Sequence, residues 1–249
     1  MKIIISPAKK MRDQIEFMAA ESEPHFLAQS KDIATYLNAR TFDELKQIWQ
    51  CNDALTKLNQ ERLPEIIERT QTVAALLSYE GLQYQYMAPH IFDYDQWAYV
   101  NQHLVILSGL YGALRPLDAV KPYRIEMQAK FKKAFEGHKT LYHYWQDTIY
   151  QHITSESNII LNLASKEYSQ VIEPFLKPAD IFVTCVFGEE VDGKAKIKAT
   201  QAKMARGEMV RFLATHQITT IEGVKRFDAM NYRFSDAYSN ESTFVFLKG

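Results

Sequence analysis

Ile3-Ile4-Ile5-Ser6-Pro7-Ala8-Lys9 opens the chain with an apolar run that ends in a serine and gives way to polar, helix-starting residues. The pattern returns in Leu104-Val105-Ile106-Leu107-Ser108-Gly109-Leu110-Tyr111-Gly112 and in Ile159-Ile160-Leu161-Asn162-Leu163-Ala164-Ser165-Lys166-Glu167. Continuous aliphatic runs of this length, bounded by turn chemistry, read as strands buried on both faces. In open α/β sheets ligands sit outside the carboxyl ends of such strands. If the three strands are neighbours, their ends make one polar site.

Working outward, the 249 residues are 47% hydrophobic and 24% charged, an ordinary globular composition with a formal net charge of -1. That balance excludes a global positive field, so any binding to nucleic acid or an anionic membrane must come from a local patch. The chain enters a strand within two residues of Met1 and has no long apolar segment, so neither a signal peptide nor a transmembrane span is expected and the expected location is cytoplasmic. Cys51 and Cys185 lie outside any Cys-x-x-Cys spacing and read as small, partly or fully buried thiols.

A helix is predicted over residues 30–39. Thr41-Phe42-Asp43-Glu44 is a capping box before Leu45, Ile48 and Trp49, and Asn52 can cap the helical stretch that follows. Residues 79–99 are dense in aromatics at irregular spacing and read as a core edge. The second strand covers about 103–107, with helices expected near 124–134 and 141–153 and, after the third strand, from Ser165 to about 176. Strands at 181–187 and 195–199 are joined through Asp192-Gly193, a helix runs over about 200–216, and a hairpin closes the chain. There is no repeat and no flexible linker. The expected architecture is α/β, mixed α+β in character: one compact domain over residues 1–249, with a mixed parallel and antiparallel sheet and surrounding helices.

Ser108-Gly109-Leu110-Tyr111-Gly112-Ala113-Leu114-Arg115-Pro116-Leu117-Asp118 carries the sharpest chemistry. Two glycines three apart after a strand let bare backbone approach a ligand and let free amides face an anion. It is neither a Walker loop nor a Rossmann fingerprint, and no cofactor motif stands elsewhere. The spacing also fits the turn of a helix-hairpin-helix, whose amides meet DNA phosphates, although the residues before it look like a strand. A plain tight turn with Arg115 and Asp118 paired for structure is the competing reading.

Basic residues cluster after each expected strand end: Lys9, Lys10 and Arg12; Lys121, Arg124, Lys130, Lys132 and Lys133; then Lys194, Lys196, Lys198, Lys203, Arg206 and Arg211. Alternation puts Lys194, Lys196 and Lys198 on one strand face, either solvated or lying on a polyanion. The seven histidines show no ligand pair at helical spacing beside carboxylates, so no metal site is expected. No Gly-x-Ser-x-Gly elbow supports a serine nucleophile. Lys9, at the mouth of the first strand, is the candidate for a phosphate clamp or, if desolvated, an amine nucleophile, with Asp118 and Glu167 as acid/base partners.

Five ordered segments carry a resemblance. Ile5 to Lys9, Leu107 to Asp118, Pro122-Tyr123-Arg124-Ile125-Glu126-Met127, Asn162 to Tyr168, and Ala202-Lys203-Met204-Ala205-Arg206-Gly207 closely resemble the YaaA peroxide-stress resistance family. The resemblance implies a cytosolic protein of bacterial type that limits hydrogen peroxide damage, lowers free intracellular iron and binds DNA through a positively charged cleft. It also implies a compact mixed α/β fold with a helix-hairpin-helix element.

Two hypotheses follow. In the first, the chain binds DNA without sequence specificity, through Ser6, Lys9, Ser108, Gly109, Tyr111, Gly112, Arg115, Lys121, Arg124, Asn162, Ser165, Lys166, Lys203 and Arg206. In the second, it is an enzyme acting on a damaged nucleobase, sugar or nucleotide, with Lys9 as amine nucleophile or phosphate clamp, Asp118 and Glu167 in acid/base roles, and Ser108 and Asn162 as hydrogen-bonding orienters.

Overall fold

A computed structural model of the chain describes residues 1–14 and 18–249. Its centre is an eight-stranded sheet. From one edge the strands run Tyr232–Phe234, Thr243–Lys248, Ile181–Val191, Ile159–Leu163, Lys2–Ile5, Leu104–Ser108 and Gly112–Leu114, with Lys194–Lys196 paired to the far end of Ile181–Val191.

The three aliphatic runs are therefore adjacent. Lys2–Ile5 lies parallel between the other two, Ile4 facing Asn162 on one side and Val105 on the other. Ile3, Ile4, Ile5, Ile106, Leu107, Ile160 and Leu161 are fully buried, as strands covered on both faces require. Because the chain leaves the first strand for a neighbour on one side and later returns on the other, the carboxyl end of Lys2–Ile5 is a topological switch point. The antiparallel pairs sit toward the edges, at Gly112–Leu114, Tyr232–Phe234 and Lys194–Lys196, so the sheet is mixed.

Local signals set several helix starts. Thr41 and Glu44 form the expected capping box for Phe42–Trp49, and the Asn52 side chain accepts from Leu55 N to start Asp53–Glu68. Ala199–Thr215 packs on Leu82–Met87 and Tyr94–His103. Tyr79, Tyr84, Phe92, Trp97 and Tyr99 are buried, as the core-edge reading expects. No helix among the described residues is long and apolar enough to cross a membrane.

Three expected elements differ. Residues 124–134 are not a helix: Lys130–Phe135 is a strand paired with His138–Thr140. Phe131 and Phe135 are both buried and four apart, which mimics a helical face, but that spacing also fits a strand face, and left-handed Glu136 and Gly137 turn the chain back. The helix expected from Ser165 to 176 stops at Lys166–Ser169, because Pro174 has no amide to continue it. The helix expected over 141–153 is two, Leu141–Trp145 and Thr148–Glu156, broken at Gln146 with φ 44°.

The glycine segment is a β-hairpin, with Ser108 paired to Gly112, so no helix-hairpin-helix forms there. The lysine stripe is also shorter than expected. Lys198 leaves the strand to cap the long helix and pairs with Glu189 at 2.6 Å.

Candidate functional site

At the carboxyl ends of the parallel strands lies a cleft of about 390 Å³, bordered by residues 6–10, 80–84 and 123–126 and by Ser165, Glu167, Tyr168, Lys203 and Arg206. Strand adjacency builds its floor. Ser6 and Ser165 end neighbouring strands, and Ser6 Oγ accepts from Ser165 N at 2.8 Å and donates to Ser165 Oγ at 3.1 Å. Ser108, ending the strand Leu104–Ser108, meets the Tyr123 hydroxyl at 2.6 Å, which in turn meets Tyr79 at 2.9 Å. Tyr84 donates to the Ser6 carbonyl at 2.9 Å.

The walls are charged. Lys9 Nζ sits 2.7 Å from Glu126 Oε1, which Arg124 Nη2 approaches at 3.4 Å, and Lys10 meets Glu80 at 2.6 Å. Lys203 and Arg206 have no ion-pair partner among the described residues. Five basic side chains thus face three carboxylates, and the cleft is cationic although the chain is not. Burial pushes the Glu167 carboxyl above its ordinary range, and the nearby Glu126 charge adds to that. Burial lowers the Arg206 guanidinium from its usual value, and Cys185 nearby opposes that shift.

Of the residues singled out from sequence, Ser6, Lys9, Arg124, Ser165, Glu167, Lys203 and Arg206 share this cleft. The others lie elsewhere. Ser108 and Asn162 are buried beneath it, Asn162 bonded to Thr184 Oγ1 at 3.1 Å and to Ala164 N at 2.9 Å.

The glycine segment serves packing rather than an anion. The Leu110 and Tyr111 amides donate to Ser108 Oγ at 3.2 and 2.9 Å. Gly109 lies where a Cβ would come within 2.9 Å of the Ile125 carbonyl, and Gly112, at φ +68°, faces Phe26 and Trp145. Tyr111 is buried, its hydroxyl accepting from Lys121 N at 3.1 Å, while buried Lys121 pairs with Glu65 at 2.9 Å.

Arg115, Asp118 and Lys166 also miss the cleft. The Gly112–Leu114 strand runs antiparallel and carries the chain back down the sheet. Arg115 therefore acts electrostatically on His152 and Glu156, as Lys2 does from the amino end of the first strand. Asp118 is buried and accepts from Arg115 N at 2.8 Å and Ser22 Oγ at 2.6 Å, which is a structural clip. Lys166 is exposed and paired with Glu173.

Sequence reasoning did not assign Lys10, Tyr123, Glu126 and Tyr168 to the site, although all four stood in basic clusters or motifs already singled out. Glu80 and Gln83 gave no local signal, and Tyr84 stood in the aromatic stretch read as a core edge. They reach the cleft because the long helix Ala199–Thr215 holds Leu82–Met87 against it. Among the described residues no group of three or more His, Cys, Asp and Glu is placed to hold a metal.

Residues 1–238 match the family described as peroxide stress protein YaaA. A "UPF0246 protein" of Lachnoclostridium phytofermentans is 48% identical over 249 residues, covering 100% of this chain and 97% of that protein. Proteins described in the same way in Pediococcus pentosaceus and Desulfitobacterium hafniense are 44% and 46% identical, each over 100% of this chain and 98% of its own length.

Proposed function

This chain belongs to the peroxide stress protein YaaA family, and from that premise we propose that it protects the cytoplasm under hydrogen peroxide stress by binding DNA through the basic cleft. The binding is largely independent of sequence. It limits oxidative DNA damage and helps to hold down free intracellular iron, the latter indirectly.

One observation carries the reading: basic side chains from three separate segments, Lys9 and Lys10, Arg124, and Lys203 with Arg206 on one helix, border one cleft, and two of them lack a carboxylate partner among the described residues. Phosphate contacts position a protein on nucleic acid without reading sequence. The test is binding of duplexes of unrelated sequence over a range of salt. Lys9→Glu and Lys203→Glu should each weaken binding to every duplex alike and reduce the salt slope by about 1. Variants that bind like the parent would remove the cleft from this role.

A second reading, catalysis on a damaged nucleobase, sugar or nucleotide, draws on Glu167, whose raised carboxyl beside Glu126 suits a proton donor. Lys9 suits the clamp better than the nucleophile, because its exposed amine is paired with Glu126 and lacks the desolvation that activates lysines. Borohydride trapping on an abasic duplex separates the two: a covalent adduct assigns Lys9 to chemistry, and its absence with binding intact assigns it to the clamp.

A further inference from the structure

Three buried donors without a partner meet at the cleft. Gln83 Nε2, Arg124 Nε and Arg206 Nε are each shielded from water, donate to no protein oxygen among the described residues, and belong to side chains that border the hollow. Buried polar groups are ordinarily paired. Three donor demands left open around one cavity mark a place where acceptor atoms are missing, and small rotations of the terminal torsions turn these groups toward them.

The chemistry of the missing partner is legible. Among the described residues Arg206 also lacks an ion pair, as does Lys203, so part of the ligand is anionic, and a guanidinium fork favours phosphate geometry. A free phosphate would leave most of the roughly 390 Å³ hollow unfilled. Leu82, Ile125, Tyr84 and Tyr168 supply apolar and aromatic wall for a flat body beside the anion, while the Gln83 amide can donate to a ring or sugar oxygen or nitrogen. The hollow falls in the size range of small-ligand pockets, so a duplex meets its charged rim rather than its interior.

We propose that the cleft is a pocket for a single nucleotide unit, its phosphate held by Arg124, Arg206 and Lys203 and its base or sugar contacted by Gln83 between tyrosine walls. The inference rests on the DNA reading only for the origin of that unit. A free nucleoside monophosphate and one nucleotide turned out of a strand present the same chemistry.

Calorimetric titration with deoxyadenosine 5′-monophosphate tests the first source. Fluorescence anisotropy with two duplexes, one fully paired and one carrying a single extrahelical deoxyadenosine, tests the second. Binding of the monophosphate, or at least a tenfold preference for the extrahelical duplex, is the expected result, and which of them appears names the source. Arg124→Gln and Gln83→Leu should each reduce that binding or preference at least fivefold, while Lys57→Gln, on the exposed side of Asp53–Glu68, should leave it unchanged.

Absence of both signals in the parent overturns the pocket. Duplex binding that persists in that case leaves the broader DNA reading standing, and its loss removes both. Folded variants that retain the full parental signal also overturn the proposal. The parental measurement decides independently of whether any variant folds.

Discussion

Gly207→Ala tests the contact that shapes the cleft. Gly207 lies inside Ala199–Thr215, where it faces the backbone of Leu82–Met87. A Cβ there would stand 2.9 Å from both the Gln83 carbonyl carbon and Met87 N, and closer still to the Gln83 carbonyl oxygen. Carbon contacts settle at about 3.5–4.0 Å, so the helices must part by about 0.6 Å or more.

Overpacking of this kind costs about 1–3 kcal/mol. The upper end applies, because the obstacle is backbone and no flexible side chain can step aside. Alanine returns about 1 kcal/mol of helix propensity over glycine. The net destabilisation is about 2 kcal/mol, which for a chain of this size lowers Tm by about 4–8 °C. Calorimetry or thermal circular dichroism reads it directly. A Tm equal to or above that of the parent would mean that propensity outweighs contact, and that the two helices do not touch through Gly207.

The remaining expectations concern carboxylates inside and outside the cleft. Asp118→Asn weakens charge-assisted bonds to Arg115 N and Ser22 Oγ and should destabilise by about 1.5–3 kcal/mol in urea unfolding. Affinity per folded molecule for DNA should not change, and a loss of affinity without loss of stability would return Asp118 to the site. For Glu167, the folded protein holds a proton that the unfolded chain releases around its ordinary value of 4.5, so its contribution to stability is lost as pH rises from there through the raised folded value. Glu167→Gln should remove that decline and gain on the parent as pH increases, and parallel stability curves across this window would show that burial does not strain the group.

How much was legible in the sequence follows the range of each signal. Thr41, Glu44 and Asn52 announced helix starts because capping acts over three residues. The aliphatic runs announced buried strands because a strand covered on both faces needs apolar residues throughout. Phe131 and Phe135 misled because a spacing of four serves both a helix face and a strand face, and only pairing with His138–Thr140 decides between them.

For the site, Ser6, Lys9, Arg124, Ser165, Glu167, Lys203 and Arg206 were found because they flank strand ends or stand in dense local motifs. Arg115 and Asp118 were assigned to it because sequence distance from Ser108 is short. The antiparallel return of Gly112–Leu114 sends them the other way.

The sequence by itself determined the three aliphatic strands, the capped helices and the family, since each is written in contiguous residues and in their order. Tertiary structure alone decided which charges share a cleft, that Glu126 answers Lys9, and that Gln83, Arg124 and Arg206 hold unmet donors around one hollow. Those outcomes depend on strand order and on the close approach of two helices at a glycine. Both are set by packing between segments more than a hundred residues apart, and no local pattern encodes them.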